Sequence, residues 1–294
     1  MPNTSHMKIV IDELTAKKRA DVILANAETN YSRAALGKLF DMGLVLLDGE
    51  HAKRGDKPKL GQVFEADLSP LEQEPDVIDL PVLYEDDDVI VIDKPAGIIS
   101  HSRGRFWQEA SVASFIRDKT RDMTGDRAGI VHRLDRATSG VMIAAKNEAT
   151  QKFLQKQFAD KKVKKQYTAL ILGIPQNAEA HIIAALLRNP KTPQQFMVNT
   201  DGKHAETQYR ITKSKNGLSM VVLLPVTGRT HQLRVHMQYI GHPIVGDVLY
   251  GVHASKEKRM YLHAESLQIT LPSGDLVTFT APLPSDFNER FNCE

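Results

Sequence analysis

Apolar and polar positions along the chain change period several times, and each change marks an element. In SRAALGKLFDMG (32–43), Leu36, Leu39 and Phe40 recur at helical spacing, Ser32 stands at the N-cap and Gly43 at the stop. LVLLDG (44–49) reads as a strand running into a turn, and KLGQVFEAD (59–67) as the strand that follows. Further on, DVIVIDKPAG (88–97) is a continuous apolar run ending in a turn, a buried strand. SVASFIRDKT (111–120) predicts a short helix. SGVMIAAKN (139–147) predicts a strand leading into the helix EATQKFLQKQFAD (148–160), with Ala149, Phe153, Leu154 and Phe158 on its apolar side. YTALILG, TQYRIT and LSMVVLLP supply further strands.

These elements do not alternate as regular βαβ units. The pattern therefore predicts an α+β fold with a mixed, largely antiparallel sheet, preceded by a small N-terminal α/β domain. The acidic, proline-containing segment SPLEQEPDVIDLP (69–81) continues neither periodicity and reads as a linker. The expected division is a leader at 1–7, unstructured or a cloning remnant with Met7 as the natural start, a small domain at 8–68, the linker at 69–81 and a large domain at 82–294.

Composition is that of a soluble globular protein, 41% hydrophobic and 25% charged over 294 residues. No apolar run approaches the ~18 residues of a membrane span and no secretory signal opens the chain, so a cytoplasmic location without membrane contact is expected; the expected state is a monomer. The single cysteine, Cys293, excludes an internal disulfide framework and cysteine-rich zinc sites. A formal net charge of +2 decides nothing about nucleic acid, but its distribution is uneven. Residues 71–90 carry eight acidic residues and no basic one, whereas 146–165 holds seven lysines against Glu148 and Asp160.

No glycine-rich dinucleotide turn and no P-loop is present. His231 and His236 are five apart in THQLRVHMQYIG with no glutamate between them, which is not the spacing of a helical metal pair. The densest polar cluster is GIVHRLDRATSG (129–140), where Asp135 is fenced by Arg133 and Arg136 between two apolar runs. From spacing alone, with Thr138 three positions on, Asp135 reads first as a turn or N-cap residue.

GIVHRLDRATSGVMIAAKN resembles the signature of the RluA-type RNA pseudouridine synthases. YEDDDVIVIDKPAGIISHS, KKQYTALILG and VTGRTHQLRVHMQYIGHPIVGDVLYG resemble three further motifs of that family, in the family's order. Residues 17–68 resemble the small RNA-binding domain named after the fourth protein of the small ribosomal subunit. The resemblance implies that Asp135 is the catalytic carboxylate, Tyr167 the ring against the target base, Arg229 the ion-pair partner of Asp135, and Arg133 the side chain that enters the gap left in the RNA. His132, Thr138, Lys165 and His231 become RNA-facing candidates around them. In the small domain Arg19, Arg33, Lys38, Lys53 and Arg54 become phosphate contacts. Asp93, where many members have asparagine, lies outside the reaction centre.

The implied reaction detaches uracil from ribose, turns it and rejoins it through carbon 5. It involves no net redox change, so no cofactor and no metal is expected. The implied partner is RNA, large-subunit ribosomal RNA first; a transfer-RNA enzyme and a non-catalytic RNA-binding or ribosome-assembly protein are the alternatives.

Overall fold

Every strand and helix that the apolar spacing predicts is present in the computed structural model, which describes all residues except 1–4, 74, 75, 77, 103–108, 122, 124, 126, 253–256 and 294. The chain divides into two units, residues 1–76 with 102–109, and residues 77–101 with 110–294.

In the first unit the strands β1 (His6–Val10), β2 (Val45–Leu47), β3 (Glu50–His51) and β4 (Val63–Asp67) form an antiparallel sheet in the order β1-β4-β2-β3. Two helices, α1 (Ala20–Ala27) and α2 (Arg33–Asp41), contribute Ile23, Leu24, Leu36, Leu39 and Phe40 to a core shared with Val45 and Phe64. Helix α2 begins where the pattern places it, because the Ser32 hydroxyl accepts the Ala35 N–H at 3.2 Å. Two expectations change here. His6 and Met7 pair with Asp67 and Ala66, so the supposed leader joins the sheet from residue 6 onward. The proline-containing segment opens with a helical turn, α3 (Ser69–Glu72), in which Leu71 is fully buried. Pro70 is accommodated because a first helical turn does not need its missing N–H.

The second unit carries β5 (Val82–Glu85), β6 (Val89–Lys94), α4 (Val112–Ile116), β7 (Ser139–Ala145), α5 (Glu148–Ala159), β8 (Lys164–Leu172), β9 (Glu179–Ile183), β10 (Leu186–Arg188), β11 (Phe196–Val198), β12 (Glu206–Lys215), β13 (Leu218–Pro225), α6 (Gln232–Tyr239), β14 (Leu262–Thr270), β15 (Leu276–Thr280) and α7 (Ser285–Asn292). Its main sheet runs β5-β6-β7-β14-β8-β13-β12-β9, with β15 also on β14. Among the described residues of this sheet only the β7–β14 pair is parallel, so the sheet is mixed and largely antiparallel. Strand β6 is buried on both faces: Val89 and Val91 join one core cluster while Ile90 and Ile92 join another. That is why its sequence is a continuous apolar run rather than an alternating one. Among the described residues no helix is long and apolar enough to cross a membrane.

Helix α5 sits rotated from its predicted face. It buries Thr150, Leu154 and Gln157, whereas Ala149 is exposed and Phe153 is 41% exposed. Polar anchors set the rotation. The Gln157 amide donates to Thr270 O at 2.8 Å and accepts the Thr270 N–H at 3.1 Å, while Thr150 Oγ1 donates to Asp88 at 3.1 Å. Satisfying that strand edge outweighs burying one more ring.

Candidate active site

The loop before β7 that carries Asp135 is held on both sides. Leu134 is buried, and Ser100 clamps its backbone: the Leu134 N–H donates to Ser100 Oγ at 3.0 Å and the hydroxyl donates back to Leu134 O at 2.8 Å. The Thr138 N–H closes the turn on Asp135 O at 3.0 Å. Gly140 has φ +116°, and a Cβ there would stand 2.2 Å from Ala264 O, so only glycine lets β7 close on β14 immediately after the loop. The Lys-Pro turn supports the loop from behind. Lys94 is fully buried and its ammonium donates to Pro95 O and Ile98 O at 2.8 Å each, while the Gly97 N–H donates to Arg136 O at 2.7 Å. Burial draws the Lys94 ammonium down to about 7, against the opposing pull of the Asp135 charge.

Asp135 Oδ2 accepts a hydrogen bond from Arg234 Nη1 at 3.1 Å. Arg234, on the inner side of α6, also donates through Nε and Nη2 to the two oxygens of Asp247, both at 2.7 Å. Asp247 is fully buried, and its Oδ1 also accepts the Leu249 and Tyr250 N–H groups. Burial disfavours the charge on Arg234, but the hydrogen bonds and charges of Asp247 and then Asp135 outweigh it and hold the guanidinium above its ordinary value. One planar fork thus serves two carboxylates, a geometry lysine does not offer.

The ion pair expected from Arg229 is therefore made by Arg234. Arg229 precedes the helix in an exposed loop whose shape is set by Gln232: the Arg229 N–H and the Thr227 hydroxyl both donate to Gln232 Oε1, at 3.0 and 2.6 Å. From there its Nε donates to His204 O at 3.1 Å, at the rim rather than at Asp135. The Gln232 amide donates to Glu206 O and Thr207 Oγ1 at 2.9 Å each, which ties the start of α6 to β12.

A cavity of about 110 Å³ opens over Asp135, and Arg133, Thr138, Lys165, Tyr167, Arg229 and His231 line it. Lys165 and Tyr167 share one face of β8 because alternate residues of a strand point the same way. Burial raises the Tyr167 phenol, and the Asp135 charge adds to the shift, so the hydroxyl stays protonated. Burial lowers the Lys165 ammonium. His231 Nε2 lies 3.8 Å from Asp135 Oδ2, and its Nδ1 is 2.8 Å from the Tyr250 hydroxyl. The same Tyr250 hydroxyl accepts the Phe196 N–H at 2.7 Å. Burial depresses His231 while Asp135 pulls it the other way.

His132 is not among the lining residues. Its Nε2 accepts the Ile143 N–H at 3.1 Å and its ring stacks on Phe158 at 4.6 Å. Burial, with the Lys165 charge second, pushes it down to about 3, so it is a neutral structural ring instead of an RNA-facing one. His236 lies in the core, its two ring nitrogens bound to Thr207 Oγ1 and Ala184 O, and does not face His231 across a metal site. In the first unit Arg19 and Arg33 both pair with the buried carboxylate of Asp21, and these hydrogen bonds, Arg19 first, hold it at about 2 despite burial. Arg54 pairs with Asp41. These three arginines are tied into the fold, Arg19 and Arg33 exposed and Arg54 half-buried; Lys53 is exposed, and Lys38 lies in the last turn of α2.

Sequence reasoning missed Arg234, Asp247 and Tyr250. One signal was available: an arginine inside the apolar stretch LRVHM needs a buried partner, and Asp247 is an acidic candidate in the same motif.

The family model described as RNA pseudouridylate synthase matches residues 88–239, about half of the chain. The chain is 34% identical to a ribosomal large subunit pseudouridine synthase D of Xanthomonas campestris, over 97% of this chain and 91% of that one. It is 40% identical to the dual-specificity RNA pseudouridine synthase RluA of Escherichia coli, over 69% of this chain and 93% of that one. Among solved structures, the human RNA pseudouridylate synthase domain containing 1 superposes with a TM-score of 0.59 at 28% identity, covering 71% of this chain and 86% of that one.

Proposed function

The chain belongs to the RNA pseudouridylate synthase family and is of its RluA type, and from that premise we propose that it isomerises uridines of large-subunit ribosomal RNA with Asp135 as the catalytic carboxylate. The observation that carries the assignment of Asp135 is its carboxylate, paired to Arg234 inside a cavity that Tyr167 also lines.

A carboxylate must be ionised to attack carbon or to accept a proton, and drying the pocket around it favours the neutral acid unless a cation opposes that. Arg234 supplies the cation, and because Asp247 holds the other edge of the guanidinium, the direction of the Asp135 bond is fixed before substrate arrives. Tyr167 offers an aromatic face on which uracil stacks, worth roughly 1–3 kcal/mol by analogy with other stacked bases. Its phenol, kept protonated by burial and by Asp135, is a donor to the base oxygens.

Entry to this cavity requires the uridine to leave its helix, at a cost of a few kcal/mol in lost stacking and pairing. Arg133 is exposed, lines the cavity and is the side chain placed to fill the vacated space. The first unit is read as the RNA anchor, with Lys38 and Lys53 on phosphates and Arg19, Arg33 and Arg54 sharing their charge with Asp21 and Asp41. The ribosomal substrate is carried over from the name of the Xanthomonas relative. Mapping pseudouridines in cellular RNA with and without the protein tests it: loss at defined positions of large-subunit RNA is expected, and loss confined to transfer RNA would move the substrate there.

A further inference from the structure

A second groove, about 530 Å³ in volume, adjoins the cavity over Asp135 and shares with it the wall formed by Gly228, Arg229 and Thr230. Its far side is built by β10, β11 and the turn at residues 201–203, and the polar groups there are Arg188, Lys203 and Asp201. With Arg229, three cations face one carboxylate. Arg188 and Lys203 are both exposed, and the guanidinium of Arg188 lies 5.8 Å from the centroid of the Phe196 ring.

The groove is held in shape by the same groups that shape the site. Leu186 and Lys203 exchange backbone hydrogen bonds of 2.9 and 2.8 Å. A side chain at Gly202 would place its Cβ 2.4 Å from the Leu186 carbonyl carbon, so that pairing tolerates glycine alone. On the other strand the Phe196 N–H donates to Tyr250, whose hydroxyl meets His231 beside Asp135. Among the described residues, the guanidinium of Arg229 is bound to His204 O through Nε, which leaves its terminal nitrogens at the shared wall.

An occupant of this groove must be anionic and continuous with whatever lies over Asp135. We propose that the groove is the subsite for the nucleotide adjoining the target uridine, its phosphodiester held by Arg188, Lys203 and Arg229. This rests on the reading that the uridine itself occupies the Asp135 cavity. Phosphate contacts of this kind hold a strand without reading its bases, so the subsite tethers the strand beside the cavity and contributes to binding rather than to the chemical step.

The test compares the full-length wild type with the double variant Arg188→Ala/Lys203→Ala on unmodified large-subunit ribosomal RNA transcribed in vitro with uridine tritiated at carbon 5. The readouts are the salt dependence of RNA binding and tritium release at limiting and saturating RNA. Removing two contacts to a single strand should flatten the slope of log K against log salt by about 1.4. kcat/KM should fall at least ~10-fold with kcat within about twofold, since contacts made equally in ground and transition states affect KM alone. An equivalent loss of charge far along β12, Lys213→Ala/Lys215→Ala, should leave slope and kcat/KM unchanged. If the groove variant matched an active wild type in both, or the β12 variant flattened the slope equally, the subsite would be overturned while the synthase reading stood. If wild type released no tritium, the synthase reading itself would fall, and the subsite with it.

Discussion

Asp247 grips Arg234 through two hydrogen bonds of 2.7 Å, and the third nitrogen of that guanidinium reaches Asp135 at 3.1 Å. Asp247 does not line the cavity over Asp135, so in the proposed reaction it is a positioning residue that acts through Arg234. Asp247→Asn should keep the fold yet loosen the fork, lowering kcat by about 10²-fold, the order that a misplacement near 1 Å produces. Asp247→Ala leaves part of the guanidinium buried without a partner and should also cost about 3–5 kcal/mol of stability by urea unfolding. Unchanged kcat in both variants would remove Asp247 from the account.

His132 links stability to pH. Its folded value, pushed down to about 3 by burial, lies below the ordinary 6.5, so the unfolded chain binds the extra proton as pH falls between them. The stabilisation is present above 6.5 and is lost progressively toward 3. Between pH 6.5 and 5 this one group should remove up to ~2 kcal/mol. Urea titrations of wild type and His132→Gln across that window check it: the variant should show the weaker pH dependence, and parallel curves would contradict the assignment.

Much of this was legible from residue pattern and motif, and the misses share a cause. Ser32, Leu36, Leu39 and Phe40 specify α2 locally, and the polar density around Asp135 marks its loop without any tertiary information. Arg229 and Arg234 occupy one motif, and choosing between them requires knowing that Asp247, thirteen residues beyond Arg234, folds back behind it. Likewise the rotation of α5 is decided by Thr270, on a strand more than a hundred residues away. Local periodicity assigned the rings of Phe153 and Phe158 to one face; the backbone of that distant strand claimed Gln157 instead.

If Arg133 fills the space the flipped uridine leaves, as proposed, its removal separates base extrusion from chemistry. Arg133→Ala leaves the Asp135–Arg234 pair in place, so the fluorescence change of a reporter base beside the target should slow by about tenfold or more, on the scale of ~1–3 kcal/mol for a stacking contact. Tritium release from a single-stranded oligonucleotide, which needs less extrusion, should be affected less. Equal flipping rates in variant and wild type would remove Arg133 from that role.

Lys38→Ala/Lys53→Ala in the first unit should weaken RNA binding and flatten its salt slope by about 1.8 if both contact duplex phosphates. kcat at saturating RNA should stay within twofold. A slope equal to wild type would mean that this unit does not anchor RNA through these lysines.

In the proposed reaction the charge on Asp135 performs the chemistry. Asp135→Asn preserves size and a hydrogen-bonding oxygen for Arg234, yet a neutral amide neither attacks as a nucleophile nor accepts a proton at neutral pH. Release of tritium from carbon 5 of uridine in unmodified ribosomal RNA measures this directly, because that hydrogen leaves when the base is rejoined. Wild type should release label stoichiometrically with the sites modified, and Asp135→Asn should bind the same RNA with similar affinity and release none. Release by the Asn variant at a rate near that of wild type would contradict the assignment of Asp135.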